Sequence, residues 1–164
     1  MIRPLEEVLA YKNKWVIERF KNTATWFQGN EEDIDILFDD LKRFLWLYAI
    51  YEEKKKTNPE LDIPDIGFSE SMLIIDEMWH PFILYTQFYS EFCQEYLGGF
   101  LHHPTPAKKY VGNTKSLGEE QALEIFVEEL LEVVYDNLGE EVTVRWFEKY
   151  FDFAPPKEIT SKHH

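Results

Sequence analysis

Apart from His163 and His164, every histidine of the chain lies between Asp76 and Pro104, in DEMWHPFILYTQFYSEFCQEYLGGFLHHP, and so does its one cysteine. Carboxylate, imidazole and thiolate are the groups that bind transition metals and move protons near neutral pH. Asp76 and His80 are four residues apart, a spacing that stacks them on one side of a helix and lets them pair. Joined by His102 or His103 they would form a two-histidine, one-carboxylate set, which holds zinc or non-haem iron with positions left open. Glu77 beside them is a candidate base. The alternative is structural: a buried Asp76 and His80 satisfy each other by a charge-assisted hydrogen bond, while His102 and His103 bond helix ends.

Helical geometry tests which of these residues can meet. At about 100° and about 1.5 Å per residue, one helix over 70–97 puts Ile75, Met78, Phe82, Tyr85, Tyr89, Phe92, Cys93 and Tyr96 on one face, with Gln87, Glu91 and Gln94 opposite. Cys93 then lies some 20 Å along the axis from His80, so the two share no ion. It reads as a small buried hydrophobe at the negative end of the helix dipole, a poor place for a thiolate. Pro81 is the residue expected to kink this helix. A chain running back from Leu97 to His103 covers about 20 Å when extended, against about 25 Å of helix to retrace, so side chains must supply the last part.

The elements that would position these residues are helices. Pro4 opens a first amphipathic helix carrying Leu5, Val8, Leu9, Trp15, Val16 and Phe20 to about Lys21. Asn30, followed by Glu31, Glu32 and Asp33, caps a second. In it Ile34, Leu37, Phe38, Leu41, Phe44, Leu45, Tyr48 and Tyr51 repeat every three or four residues as far as the cluster Lys54, Lys55 and Lys56. The run TNPELDIPDIGF is a loop, and Ser69 caps the third, motif-bearing helix, which ends near Gly98 and Gly99. Ser116 and Glu119 form a capping box for a fourth helix through Leu123, Phe126, Leu130 and Val134 to Gly139. EVTVRWF can be read as a short strand, but it has no partner strand and is assigned to a fifth helix. The expectation is an all-α fold: a single-domain, irregular, orthogonal bundle of about five helices over residues 1–155 with the motif helix at its centre, followed by a flexible tail over 156–164.

With 164 residues, 45% hydrophobic and 16% aromatic, the chain is long enough to bury a core without disulfides or a structural metal. Its net charge of -14 repels phosphate backbones and anionic headgroups, so nucleic acid and membrane surfaces are not expected partners, whereas a basic protein is. A lone cysteine, no apolar leader in MIRPLEEVLAYKNKW and no long apolar run suggest a cytoplasmic protein. His163 and His164 can belong to a purification tag and are left out of every site. Among the motifs of established chemistry, neither a phosphate-binding glycine loop, a dinucleotide fingerprint, a paired-cysteine zinc motif nor a serine-histidine-acid arrangement is present.

The pattern Asp76-x-x-Trp79-His80, then Tyr89, Cys93, Gly98 and His103, resembles the motif of the glycine-rich domain-containing protein family, found in plants, fungi and bacteria, and looks closest to its short bacterial members. The resemblance spans residues 76–104. It implies an α-helical domain around the motif and no particular reaction, with Trp79, Tyr89, Cys93 and Gly98 as structural residues. Plant members look richer in histidine just after Trp-His, where this chain has Pro81, Phe82 and Tyr85, and the glycine-rich tail is missing. Two functions are therefore carried forward. The first is a non-enzymatic acidic helical module that binds a basic protein; the alternative is a metal-binding protein or metalloenzyme using Asp76, His80 and His102 or His103 with zinc or iron.

Overall fold

The computed structural model describes residues 1–104 and 118–153. Among them the fold is all-α, with seven α-helices: α1 (Leu5–Ala10), α2 (Lys14–Thr23), α3 (Glu31–Thr57), α4 (Leu73–Leu84), α5 (Thr86–Tyr96), α6 (Glu119–Leu138) and α7 (Glu140–Phe147). Short 3₁₀ turns cover Glu70–Met72 and Lys149–Phe153. The only β-type pairing among the described residues is one antiparallel bridge between Ile2 and Leu97. The segment EVTVRWF is helical, as its lack of a partner strand required.

The longest helix, α3, forms where its periodic apolar residues said it would. Ile34, Leu37, Phe38, Leu41, Phe44, Leu45 and Tyr51 are buried and Tyr48 is half-buried. Its first turn is closed reciprocally: the Asn30 side chain accepts from the Asp33 amide at 2.9 Å, and the Asp33 carboxylate accepts from the Asn30 amide at 2.9 Å. The amines of Lys54, Lys55 and Lys56 lie at the negative end of the dipole. This helix packs against α4, α1 and α2, and one hydrophobic cluster runs from Val8 through Phe44 and Trp79 to Trp146.

Several elements depart from expectation. The first helix divides at Tyr11, where the chain is extended, because Asn13 caps a new helix by accepting from the amides of Trp15 at 3.0 Å and Val16 at 3.3 Å. That restart rotates the register, and Trp15, assigned to the buried side, is 55% exposed. The motif helix also divides, at Tyr85 (φ -84, ψ 72) and not at Pro81, which α4 absorbs within its last turn. Ser69 makes no capping bond and its hydroxyl pairs with that of Ser71, so a 3₁₀ turn precedes α4. Leu84, the last residue of α4, is 60% exposed at the break. The proposed cap Ser116 and the tail 156–164 lie outside the described residues.

Two buried charged networks join distant helices. Asp40 on α3 is fully buried and takes both oxygens' worth of bonding from Arg145 on α7, at 2.6 and 2.8 Å, with Arg43 at 2.6 Å and the Tyr150 hydroxyl completing its shell. Lys42, also fully buried, donates to the carbonyls of Leu9 at 2.8 Å and Tyr11 at 2.6 Å, closing the C-terminal end of α1, and meets Asp39 at 2.9 Å. A buried charge survives only when paired and hydrogen-bonded in this way.

Candidate metal centre

Helix α4 supplies two of the site's side chains. Ile74, Ile75, Met78, Trp79, Pro81 and Phe82 bury it on nearly every side, so Asp76 is drawn into the interior with 1% exposure. It sits in the first turn, where the helix dipole favours an anion. His80, one turn later, reaches the same space with its Nε2 3.5 Å from Asp76 Oδ1.

The third side chain arrives from the loop after α5. The break at Tyr85 turns α5 away from the axis of α4, so the loop does not retrace one long helix; Gly98 (φ +78) and Gly99 (φ +154) then reverse the chain. Gly98 takes a left-handed conformation costly for any residue with a Cβ. His103 ends with its Nε2 2.5 Å from Asp76 Oδ1 and its ring 4.5 Å, centroid to centroid, from Trp79. His103 thus lies closer to Asp76 than His80 does, and it adds to the i, i+4 pair read from spacing. One ligand atom each from Asp76, His80 and His103 all lie within 4.8 Å of one another.

His102 points elsewhere: it is exposed and packs edge-on against Phe100. Cys93 is fully buried within the aromatic face and takes no part in the cluster. Burial raises its pKa, and hydrogen bonding with the Leu101 backbone and Tyr89 only partly offsets that. Glu77 Oε2 lies 3.9 Å from His80 Nδ1, across the ring from the nitrogen that faces Asp76. Glu77 thus faces the His80 nitrogen remote from the shared centre.

The electrostatics follow from burial around a charged pair. For Asp76, burial works to raise the pKa, but the bonds from His103 and then His80 outweigh it and hold the carboxyl well below its usual range. For His80, burial works downward while the Asp76 hydrogen bond and charge, with Glu77 behind them, raise it overall. Burial pushes Glu77 up to about 7, against the pull of His80 and with the push of Asp76.

Both ring nitrogens of His103 face acceptors. Nδ1 lies 3.0 Å from the Pro104 carbonyl, which can only accept, and Nε2 faces an ionised carboxylate, which can only accept. A cation binding at the centre would displace the Nε2 proton and leave Nδ1–H on Pro104, the tautomer of a metal-bound imidazole with an outer carbonyl partner.

The donor set suits such an ion. Imidazole nitrogens with one carboxylate oxygen favour zinc or iron over calcium or magnesium. Donor atoms around a tetrahedral ion lie about 3.3 Å apart, so Asp76 Oδ1 and His103 Nε2, 2.5 Å apart, would separate by about 0.8 Å to admit one, while His80 Nε2 at 3.5 Å from that oxygen is already near the required spacing. The side chains of His80 and His103 are 21% and 28% exposed, which leaves an approach from solvent.

Fold and site together define an all-α protein with a candidate two-histidine, one-carboxylate centre between a buried helix and a returning loop. The chain belongs to the UCP032817-like family, whose model matches residues 12–120, a span that contains Asp76, His80 and His103. No curated protein and no solved structure matches the chain.

Sequence reasoning missed Asp40, Lys42, Arg145 and Tyr150. For Asp40 the one available signal is position: it lies three residues after Leu37 and four before Phe44, on the apolar face of α3, although its neighbours Asp39, Lys42 and Arg43 make the segment read as a charged surface.

Proposed function

We propose that this is a metal-binding protein that holds a divalent transition ion, zinc or iron, through Asp76 Oδ1, His80 Nε2 and His103 Nε2. The observation that supports this most is the meeting of three donor atoms within 4.8 Å, one of them delivered by a loop 23 residues along the chain from His80. Three protein ligands leave coordination positions for water or a substrate. The likeness of the motif to glycine-rich domain-containing proteins is part of the same proposal, since it rests on these residues. Protein freed of any C-terminal histidine tag is expected to retain close to one equivalent of zinc or iron, and added Zn²⁺ is expected to raise its melting temperature. His80→Ala should abolish that rise; an unchanged melting temperature in the parent protein would exclude the reading.

A second reading, an acidic module for a basic protein partner, draws support from α6. That helix carries seven acidic and no basic residues, all the acids exposed, beside the exposed apolar Leu123, Leu131 and Tyr135. Binding through this face would weaken steeply with added salt. A candidate basic partner whose association is insensitive to salt and to charge reversal at Glu128 and Glu132 would rule this face out.

A further inference from the structure

Something must hold the loop that carries His103, because Gly98 and Gly99 impose no direction of their own. The turn begins under control, since the amides of Leu97 and Gly99 both donate to the Cys93 carbonyl, at 2.9 and 3.2 Å. Beyond Gly99 the hold passes to a buried side-chain relay. Trp79 Nε1 donates to the Tyr89 hydroxyl at 3.1 Å, and that hydroxyl donates to the Leu101 carbonyl at 2.6 Å, two residues ahead of His103.

Trp79 is fully buried and Tyr89 is 1% exposed, so neither bond competes with bulk water. Phe82 and Phe100 both meet the Tyr89 ring nearly edge-on, with centroids 5.1 and 5.3 Å away, which fixes the direction of its hydroxyl. In one unbroken helix Trp79 and Tyr89 would be about 15 Å apart along the axis, so the relay exists because the chain breaks at Tyr85. Trp79 also lies in the helical turn between Asp76 and His80 and packs its ring on His103. One residue thus refers the loop back to the helix that carries the other two ligands.

We infer that Tyr89, with Trp79, is a positioning residue for the metal centre: its hydroxyl ties Leu101 to α4 and so sets where His103 meets Asp76 and His80. The inference rests on the metal-binding reading for its consequence, but its geometry is a property of the metal-free protein as well. The relay gives Trp79 and Tyr89, which the motif alone presented as packing residues, a shared task.

The test compares the parent protein with Tyr89→Phe, which removes one oxygen and keeps the ring, using two readouts. The first is Zn²⁺ affinity by competition titration, with Val134→Ala as a control that destabilises a distant part of the core. Tyr89→Phe should bind Zn²⁺ about 10- to 100-fold more weakly, while Val134→Ala keeps the parent's affinity despite its lower melting temperature. The second is the low-field proton resonance of the His103–Asp76 hydrogen bond in metal-free protein, expected in the parent and lost or rapidly exchanging in Tyr89→Phe. Should Tyr89→Phe not fold, Trp79→Phe removes the other donor of the relay and should move both readouts in the same direction. Parent-like affinity and an unchanged resonance in the variant overturn the inference. Absence of Zn²⁺ binding by the parent itself overturns the metal reading instead, and the proton resonance then decides the positioning role alone.

Discussion

Asp76 meets two imidazoles through one oxygen, and the balance at that atom governs both folding and binding. Asp76→Asn keeps the size of the side chain but leaves two rings without an anion, so urea denaturation should show a loss of about 1.5–3 kcal/mol, the usual worth of a charged hydrogen bond. A second test at this scale concerns Glu77, whose carboxyl burial pushes from 4.5 to about 7. The folded protein therefore holds a proton that the unfolded chain releases earlier. That contribution to stability is complete below the unfolded pKa and disappears as pH rises through the folded one. Glu77→Gln should consequently gain stability relative to the parent between about pH 4.5 and 7. A flat difference across that window in paired denaturation curves would contradict the assignment. The residue types of the site were legible in the sequence, as was the pairing of Asp76 with a histidine. Which histidine lies closest was not, because the decisive contact joins residues 27 apart through a loop.

The elements divide by whether local signals or tertiary contacts define them. Helix α3 was legible from end to end, because period and cap all agree on it. The break between α4 and α5 was not: no glycine marks it, and Pro81 drew attention four residues too early. Tyr85 meets there a partner that sequence spacing does not reveal, the Arg19 guanidinium 5.2 Å over its ring. The same holds for Asp40 and Arg145, 105 residues apart, whose bonds clamp α7 to α3. Arg145→Met should cost about 3–5 kcal/mol, since it strands a buried carboxylate, and differential scanning calorimetry will show whether it does. At the loop, Gly98→Ala places a Cβ in a left-handed conformation and 3.3 Å from the Met1 nitrogen. It should destabilise by about 1–2 kcal/mol and weaken Zn²⁺ binding as well, because the reversal that delivers His103 begins there.

At the scale of the whole molecule, an aromatic-rich core packs around the centre, and the sequence carries a net charge of -14. No helix among the described residues is long and apolar enough to cross a membrane. The charge was legible from composition and favours the acidic interaction module, whereas the meeting of three donor atoms, which composition does not reveal, favours the metal reading proposed above. The most direct measurement of the central claim is the X-ray absorption spectrum of the zinc-loaded protein. A site built from Asp76, His80 and His103 predicts nitrogen and oxygen neighbours at about 2.0–2.2 Å with the outer-shell scattering of two imidazole rings, reduced to one in His103→Ala. A spectrum without imidazole scattering, or one that His103→Ala leaves unchanged, would contradict it.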